Sequence, residues 1–542
     1  MIPSSFATLA TKQNWLELEL LLGTLAVWHR GAKVFSMVDD YTWEKLRNSF
    51  SAKQLEITWI RSLNDFTEDN RASMEEKGTF KSFLYNKFHI MRIALKECED
   101  VIFLDSDTII LDSIKLPAKN SGFAFCQQRI PLKNQLETGH YNCGVVWVSK
   151  LEFVDKWEAF TESSRYFEQA SLENLVTSEH ENFTYLSESF NLMPWPQILN
   201  NESKEDFKKR FKYHKNKIYY NHEPLRIVHT HFDDKRFNTF NETILELLVG
   251  LRKYKELLLI TKRIHGFFTL TIPKQPRSGI YGHANDSFRE LAILASQSEG
   301  PEFILNESTN TNHCWLEPNI LLNDRPTLEW VDEEFEHAQC ILLGNGDIDA
   351  EGKSLDKIAT VKPWIFWPRN PRILENYLNA NEVSSFSERK HLCTFIGNIE
   401  NSVQEKNRKN TILIDKLCDV LAISIGKKHK YSQEEYLNIL RTSKFGLCLP
   451  GYGKKCHREI ECMALGTVPI LHENIPAHSY GEPLIEGVHY LKYTEGQSNS
   501  FLETIKEDRW VKMSKECQNW YLRNVHSEAF FQATLRIIFG LN

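Results

Sequence analysis

Asp105, Ser106 and Asp107 put two carboxylates one residue apart, directly after the apolar run Val101-Ile102-Phe103-Leu104. Paired oxygen ligands of this kind suit Mg²⁺ or Mn²⁺, which take one or two protein carboxylates and complete their shell with substrate phosphates. On this reading Asp107 binds the cation, and Asp105 holds a ribose or a water. The apolar run reads as a short buried strand, and ligands of open α/β sheets gather beyond the carboxyl ends of strands. A second cluster, from Phe445 to Ile470, reads as strand, glycine-rich turn, helix from about His457 to Leu465, a glycine stop at Gly466 and another strand. Free N–H groups and the helix dipole at such a turn favour a diphosphate. Lys454, Lys455 and Arg458 add positive charge, and Arg458 and Glu461, three residues apart, project from one side of the helix. The turn is neither a Walker sequence nor G-x-G-x-x-G. No Ser-His-Asp or Cys-His nucleophile stands out by spacing, and the sequence does not choose a base for a second reaction among lone histidines such as His283 and His313 or the carboxylates Asp286, Glu302 and Asp324.

Positioning these groups requires alternating strands and helices, which the first 250 residues supply. Phe6 to Ala10 reads as a strand, Leu18, Leu21, Leu22 and Leu25 recur at helical spacing, and Lys33 to Val38 is a second strand, ending in Asp39 and Asp40. Leu84, Phe88, Met91 and Leu95 share one face of the helix that leads to the carboxylates. Arg226 to His231 is a closing strand. The basic run from Lys208 to Lys217 follows Glu202, Glu205 and Asp206, so it reads as a solvated surface rather than a polyanion site. Helical residues from about Thr243 to Arg263 look like a connector. Beyond them, 338–343, 390–396 and 444–449 are strand candidates in a second α/β region.

The 542 residues require at least two cores, at roughly 100 to 200 residues per domain. With 65 basic and 72 acidic side chains the formal charge is −7, which gives no case for nucleic acid as a partner. The 42% apolar and 25% charged residues describe an ordinary folded chain. Eleven cysteines, an odd count without a C-x-x-C pair, read as small buried hydrophobes in a reducing compartment. No basic stretch followed by an apolar one opens the chain, and the Trp15 to Trp28 segment is too short to span a bilayer. A cytoplasmic protein without a transmembrane segment is therefore expected.

From Phe6 to Phe240 the chain resembles a glycogenin-like, GT-A-fold glycosyltransferase. The resemblance rests on Ala7-Thr8-Leu9-Ala10-Thr11, on Lys87 ahead of the Asp-x-Asp, on Tyr141-Asn142-Cys143-Gly144-Val145-Val146-Trp147, on Glu168-Gln169 where the family has Asp-Gln, and on Ile227-Val228-His229-Thr230-His231 followed by Lys235. It implies that Thr8 and Ala10 hold the nucleobase, with Asp39 also on the nucleotide. It further implies that Asn142 and Gly144 face the donor sugar, and that Glu168 and Gln169 reach its hydroxyls. His229 then completes the metal shell with Asp105 and Asp107, His231 is its rival, and Lys235 reaches the diphosphate. The His and the Lys of the family's closing element are kept, but its Gly and Pro are missing. Mn²⁺ or Mg²⁺, a UDP sugar and retention of anomeric configuration follow from the same resemblance.

The second cluster resembles the nucleotide-sugar half of GT-B-fold, exostosin-like transferases, whose motif is Arg-x-x-Glu-Ala-x-x-x-Gly-x-x-Pro-Val. By position, Arg458 would meet the diphosphate and Glu461 the ribose hydroxyls. Lys390 to Gly397 followed by Arg408 matches the start of that half, and no metal is implied there. The expected organisation is a GT-A domain over 1–255, a GT-B-like acceptor-side subdomain over 256–387 and a nucleotide-sugar subdomain over 388–542, together a twin Rossmann-type region. The expected function is a bifunctional glycosyltransferase that adds successive sugars to a glycan acceptor. The rivals are a single GT-A activity with a C-terminal acceptor-binding module, and a non-catalytic glycan- or nucleotide-binding protein.

Overall fold

The computed structural model describes the chain except residues 1, 117–121, 180–181, 216, 233, 252, 267, 272–281, 299–302, 307–319, 324–339, 344–360, 364–365, 400–401, 410–416, 426–428, 452–453, 495–496 and 542. The candidate bases His313, Glu302 and Asp324 lie outside the described residues, as do the side chains of His283 and Asp286. Two compact units result, Met1–Ile264 and His265–Asn542, each of mixed α/β architecture with parallel strands.

The first unit is built on β1 (Phe6–Ala10), β2 (Lys33–Val38), β3 (Glu56–Arg61), β4 (Val101–Leu104), β5 (Thr108–Ile110), β6 (Phe123–Gln127), β7 (Tyr141–Val148) and β8 (Phe183–Leu186). Seven of them form one sheet in the order β3-β2-β1-β4-β7-β6-β8. β1, β2, β3 and β4 run parallel, and β7 is antiparallel to both β4 and β6. Alternate residues of a strand point to opposite faces. Ala7, Leu9, Phe35, Met37 and Phe103 accordingly enter one core with Phe88, Met91 and Trp157. Phe6, Ala10, Val34, Ile102 and Leu104 enter the other, with Leu18, Leu21 and Leu25. Each large side chain buried this way contributes about 1.5–3 kcal/mol.

A three-stranded antiparallel sheet of β9 (Phe211–His214), β10 (Lys217–Tyr220) and β11 (Glu223–Pro224) leads into β12 (Ile227–His229). β12 pairs antiparallel with β5, setting His229 opposite Thr108. The segment read as a connector forms the helices Asn238–Gly250 and Tyr254–His265 and packs into the first unit. Buried Arg263 pairs with Glu17, Lys262 with Glu19, and Trp28 Nε1–H donates to Glu256 at 3.1 Å.

In the second unit, β13 (Phe268–Thr271), β14 (Phe303–Asn306), β15 (Ile320–Asn323), β16 (Cys340–Leu343) and β17 (Val361–Pro363) form a parallel sheet, order β14-β13-β15-β16-β17. A second parallel sheet contains β18 (His391–Ile399), β19 (Val420–Ile425), β20 (Ser443–Cys448), β21 (Val468–His472) and β22 (Leu491–Tyr493), in the order β19-β18-β20-β21-β22. Phe395, Phe445, Leu447, Val468, Ile470, Trp510 and Met513 fill its core. The helix His457–Ala464 follows β20, opens on a reciprocal cap between Cys456 and Glu459, and is followed by Gly466 at φ +67°. Among the described residues no helix is long and apolar enough to cross a membrane.

Candidate functional site

Beyond the carboxyl end of β4 the chain turns into β5, and β12 lies alongside, so Asp107 is flanked by both histidines of the closing strand. His229 Nε2 lies 2.8 Å from one Asp107 oxygen, and His231 Nδ1 lies 2.9 Å from the other. One donor atom from each of the three falls within 4.8 Å of the others, a group that could hold a metal ion. Thr230 N–H donates to the Asp107 carbonyl at 2.8 Å, which fixes the loop between the two strands. Burial alone would raise the Asp107 pKa, but the two imidazoles outweigh it and hold the carboxyl far below the usual range. Burial alone would lower the His229 pKa, and the Asp107 charge raises it instead. His229 Nδ1 is buried with no hydrogen-bond partner among the described residues. One carboxylate and two imidazoles form a mixed oxygen and nitrogen donor set that could hold a divalent transition-metal ion.

Asp105 turns the other way. Its Oδ1 accepts from Lys87 Nζ at 3.0 Å, and the same ammonium donates to Glu168 at 2.8 Å. Lys87 reaches this spot because it lies in the buried stripe of helix Phe80–Glu97, with Phe83, Leu84, Phe88 and Met91. Desolvation disfavours its charge, yet Asp105, the Cys143 thiol and Glu168 together raise its pKa well above the ordinary value. Burial opposes ionisation of Glu168 as well, and Lys87 keeps its pKa low. Cys143 Sγ–H donates to Glu168 at 3.1 Å, and burial pushes the thiol pKa well up. The next residues along β7 extend the polar cluster. Asn142 Nδ2 lies 3.4 Å from Gln169 Oε1, while Gly144 N–H donates to Asn142 Oδ1 at 2.8 Å. A Cβ on Gly144 would come within 2.6 Å of His229 Cε1 and 2.8 Å of Asp105 Oδ2. Only glycine lets β7 approach the histidine and the carboxylate this closely.

The first unit thus brings together Asp105, Asp107, Lys87, Glu168, Gln169, Asn142, Gly144, His229 and His231. Thr8 and Ala10 lie buried in β1, parallel to β2, and Thr8 Oγ1 has no hydrogen-bond partner among the described residues. Asp39 caps helix Asp40–Leu46. Its oxygens accept from Thr42 N–H at 2.8 Å and Lys12 N–H at 2.9 Å, so it orders the backbone at the ends of β1 and β2. Lys235 is exposed on a single 3₁₀ turn after β12.

In the second unit two guanidiniums converge on the carboxyl end of β18. Arg458 donates to the Ile396 carbonyl and Arg408 to the Asn398 carbonyl. Arg458 is buried, lies 4.4 Å from the centre of the Phe395 ring, and has Nε and Nη1 without partners among the described residues. The missing Cβ of Gly397 and of Gly451 lets the guanidiniums lie close, since a Cβ there would come within 3.2 Å of Arg458 Nη2, and 2.7 Å of the Phe395 ring, at Gly397 and within 3.1 Å of Arg408 Nη2 at Gly451. Glu461 is buried with both oxygens engaged, accepting from Arg369 N–H at 3.0 Å and Tyr436 O–H at 2.7 Å. Lys455 is buried and donates to the Ser479 carbonyl, whereas Lys454 is exposed.

Sequence reasoning missed Asn191, whose Nδ2 donates to Asn142 Oδ1 at 2.6 Å. It also missed Cys143 as part of the Lys87 cluster and Tyr436 as the partner of Glu461. Only the position of Cys143 between Asn142 and Gly144 was a signal available beforehand.

Residues 375–493 match the family model described as the RXYLT1 C-terminal domain. Human ribitol-5-phosphate xylosyltransferase 1 is 25% identical over 177 residues, covering 28% of this chain and 39% of that protein. The chain therefore spans about two fifths of the length of the curated relative it matches. Among solved structures, the glycosyltransferase GlyE of Streptococcus pneumoniae TIGR4 is 12% identical, covering 63% of this chain and 91% of its own, with a TM-score of 0.32. Mouse xyloside xylosyltransferase 1 is 14% identical, covering 42% and 98%, with a TM-score of 0.28. Over part of its length, the chain is homologous to an enzyme named for sugar transfer.

Proposed function

We propose that the chain is a glycosyltransferase with two nucleotide-sugar centres: a metal-dependent GT-A centre in the first unit and a GT-B-like centre in the second. The observation that carries this reading is the convergence of Asp107, His229 and His231 next to the Lys87, Asp105 and Glu168 cluster and the Asn142 and Gln169 amides. Asp107, His229 and His231 would hold Mn²⁺, which supplies Lewis-acid stabilisation of the departing nucleoside diphosphate. Lys87 is the counterion that Asp105 and Glu168 share on the pocket floor. Asn142 and Gln169 offer amide groups for sugar hydroxyls, and Lys235 is the nearby exposed cation for a phosphate. In the second unit Arg408 and Arg458 replace the metal as diphosphate ligands, an arrangement of fixed donors aimed at developing charge. The donor class is a UDP sugar, with a pentose first in line because xylose is in the relative's name. The acceptor class is a glycan or glycoconjugate.

One observation favours a variant of this reading. Both Glu461 oxygens are already bonded, so ribose hydroxyls would have to displace Tyr436. A second unit that binds acceptor without transferring sugar accommodates that geometry. The deciding experiment measures nucleoside diphosphate release from a panel of UDP sugars, with and without Mn²⁺, in the intact chain, Asp107→Asn and Arg458→Ala. Two centres predict a Mn²⁺-dependent release lost only in Asp107→Asn and a Mn²⁺-independent one lost only in Arg458→Ala. A single activity, untouched by Arg458→Ala, selects the variant. No release with any donor rejects the transferase reading.

A further inference from the structure

Asn191 lies outside the groups assigned above, yet it links two of them. Its Nδ2 donates to Asn142 Oδ1 at 2.6 Å, and Gly144 N–H donates to the same oxygen at 2.8 Å. Two donors on one acceptor settle the orientation of the Asn142 amide, whose terminal torsion is otherwise broad and roughly two-fold. The Asn142 Nδ2 is thereby left facing Gln169 Oε1 at 3.4 Å, long for a hydrogen bond. That N–H₂ is the part of the amide a ligand oxygen can claim. Without Asn191, the Gly144 N–H alone would hold Oδ1, and any rotation of the amide that presented Oδ1 there would remove the donor.

The backbone around Asn191 reaches the metal-binding strand. His229 N–H donates to the Leu192 carbonyl at 2.9 Å, and Leu192 N–H donates to the Ile227 carbonyl at 3.0 Å. The same short segment therefore braces β12 through its backbone and β7 through one side chain. Asn191 is 1% exposed, and its Oδ1 has no partner among the described residues, like the buried Oε1 of Gln197. Both residues line a cavity of about 10 Å³, room for one water. Leucine would occupy a similar volume and leave no oxygen unpaired, so packing does not account for an amide here.

We propose that Asn191 is a positioning residue that locks the Asn142 amide with Nδ2 turned toward the donor sugar. The inference rests on the glycosyltransferase reading of the first unit. Its test uses the full chain with Asn191→Leu, Asn191→Asp, Asn142→Ala and the double variant Asn142→Ala/Asn191→Leu. The measurements are kcat and KM for the UDP sugar that the intact chain uses, together with Mn²⁺ and UDP affinity. Asn191→Leu and Asn191→Asp, neither able to donate at neutral pH, are each expected to lower kcat/KM about 10- to 100-fold, the usual cost of removing an outer-shell partner. Mn²⁺ and UDP affinities should stay unchanged, because neither ligand meets the Asn142 amide through a sugar. In the Asn142→Ala background Asn191→Leu should cost nothing further, since coupled residues are non-additive. Additive losses overturn the inference, and so does lost Mn²⁺ affinity in both Asn191 variants, which would place the effect on His229 instead. An intact chain that uses no donor rejects the transferase reading and this inference together. An active chain with additive losses rejects the inference alone.

Discussion

The two units treat buried charge in opposite ways. In the first, every carboxylate at the site has a basic side chain beside it: Lys87 bridges Asp105 and Glu168, and His229 and His231 flank Asp107. In the second, Arg458 is buried with Nε and Nη1 unbonded among the described residues, and Glu459 is buried with its Oε1 unbonded. Desolvation penalises an isolated charge, and only a nearby opposite charge offsets it. Asp107 and Glu168 are consequently held below their ordinary pKa values, whereas burial pushes Glu459 up to about 8. A site balanced within itself is suited to an added metal and its anionic substrate together. A site whose guanidinium keeps unused donors is suited to an anion alone.

The strongest way to break this contrast is Asp107→Ala. If Asp107 holds the metal proposed above, its loss, worth several kcal/mol, is expected to reduce the proposed Mn²⁺-dependent transfer about a thousandfold or more. Steady-state assays should show activity near wild type only if Asp107 has no part in metal binding. Next is Lys87→Met, which strips two buried carboxylates of their shared counterion and should destabilise the first unit by about 3–5 kcal/mol. Calorimetry should show its thermal transition falling while that of the second unit stays in place. A change under about 1 kcal/mol would mean that Asp105 and Glu168 are neutralised by other means. Arg458→Ala should weaken UDP binding to the second unit about tenfold to a hundredfold, because it removes a charge-assisted hydrogen bond, with little change in Mn²⁺-dependent activity. Equal affinity by isothermal titration would remove the anion-site half of the contrast.

The smallest effect concerns pH. A carboxyl whose folded pKa is raised adds stability below its unfolded value and loses it as pH climbs through the folded one. The second unit should therefore lose stability progressively as the pH rises from the ordinary 4.5 of Glu459 to about 8. Depressed carboxylates behave in reverse, so Asp107 and Glu168 contribute above their ordinary values of 3.8 and 4.5 and are lost as the solution turns more acidic. Glu459→Gln, which can still accept from Cys456 N–H, should flatten the second unit's melting temperature across roughly pH 5 to 8. A slope that persists would place the titration on another group.

Local pattern carried much of the fold. Phe6–Ala10, Lys33–Val38 and Val101–Leu104 are mainly apolar and are each followed by a polar residue, Thr11, Asp39 and Asp105, and the strands have those limits. The helix His457–Ala464 has both a start and a stop in its own residues. Where tertiary pairing decided, the sequence was less informative. The strand read over Arg226 to His231 is confined to Ile227–His229, because β5 offers only three partners. His229 and His231 looked like rivals at a period of two, but the chain leaves β12 after His229 and both rings reach Asp107. Asn191 could not be found by spacing, since it meets Asn142 from 49 residues away. The Thr243 to Arg263 helices looked like a connector because Glu17 and Glu19, which their cations pair with, lie almost the whole first unit earlier.

The bare Cα of Gly144 sets a limit on variation at this site. Alanine, the smallest possible exchange, would drive a methyl group to 2.6 Å from the His229 ring and 2.8 Å from an Asp105 oxygen. In a library of active variants, this codon should then be as depleted of substitutions as those of Asp107, His229 and His231, though residue 144 has no functional group to lose.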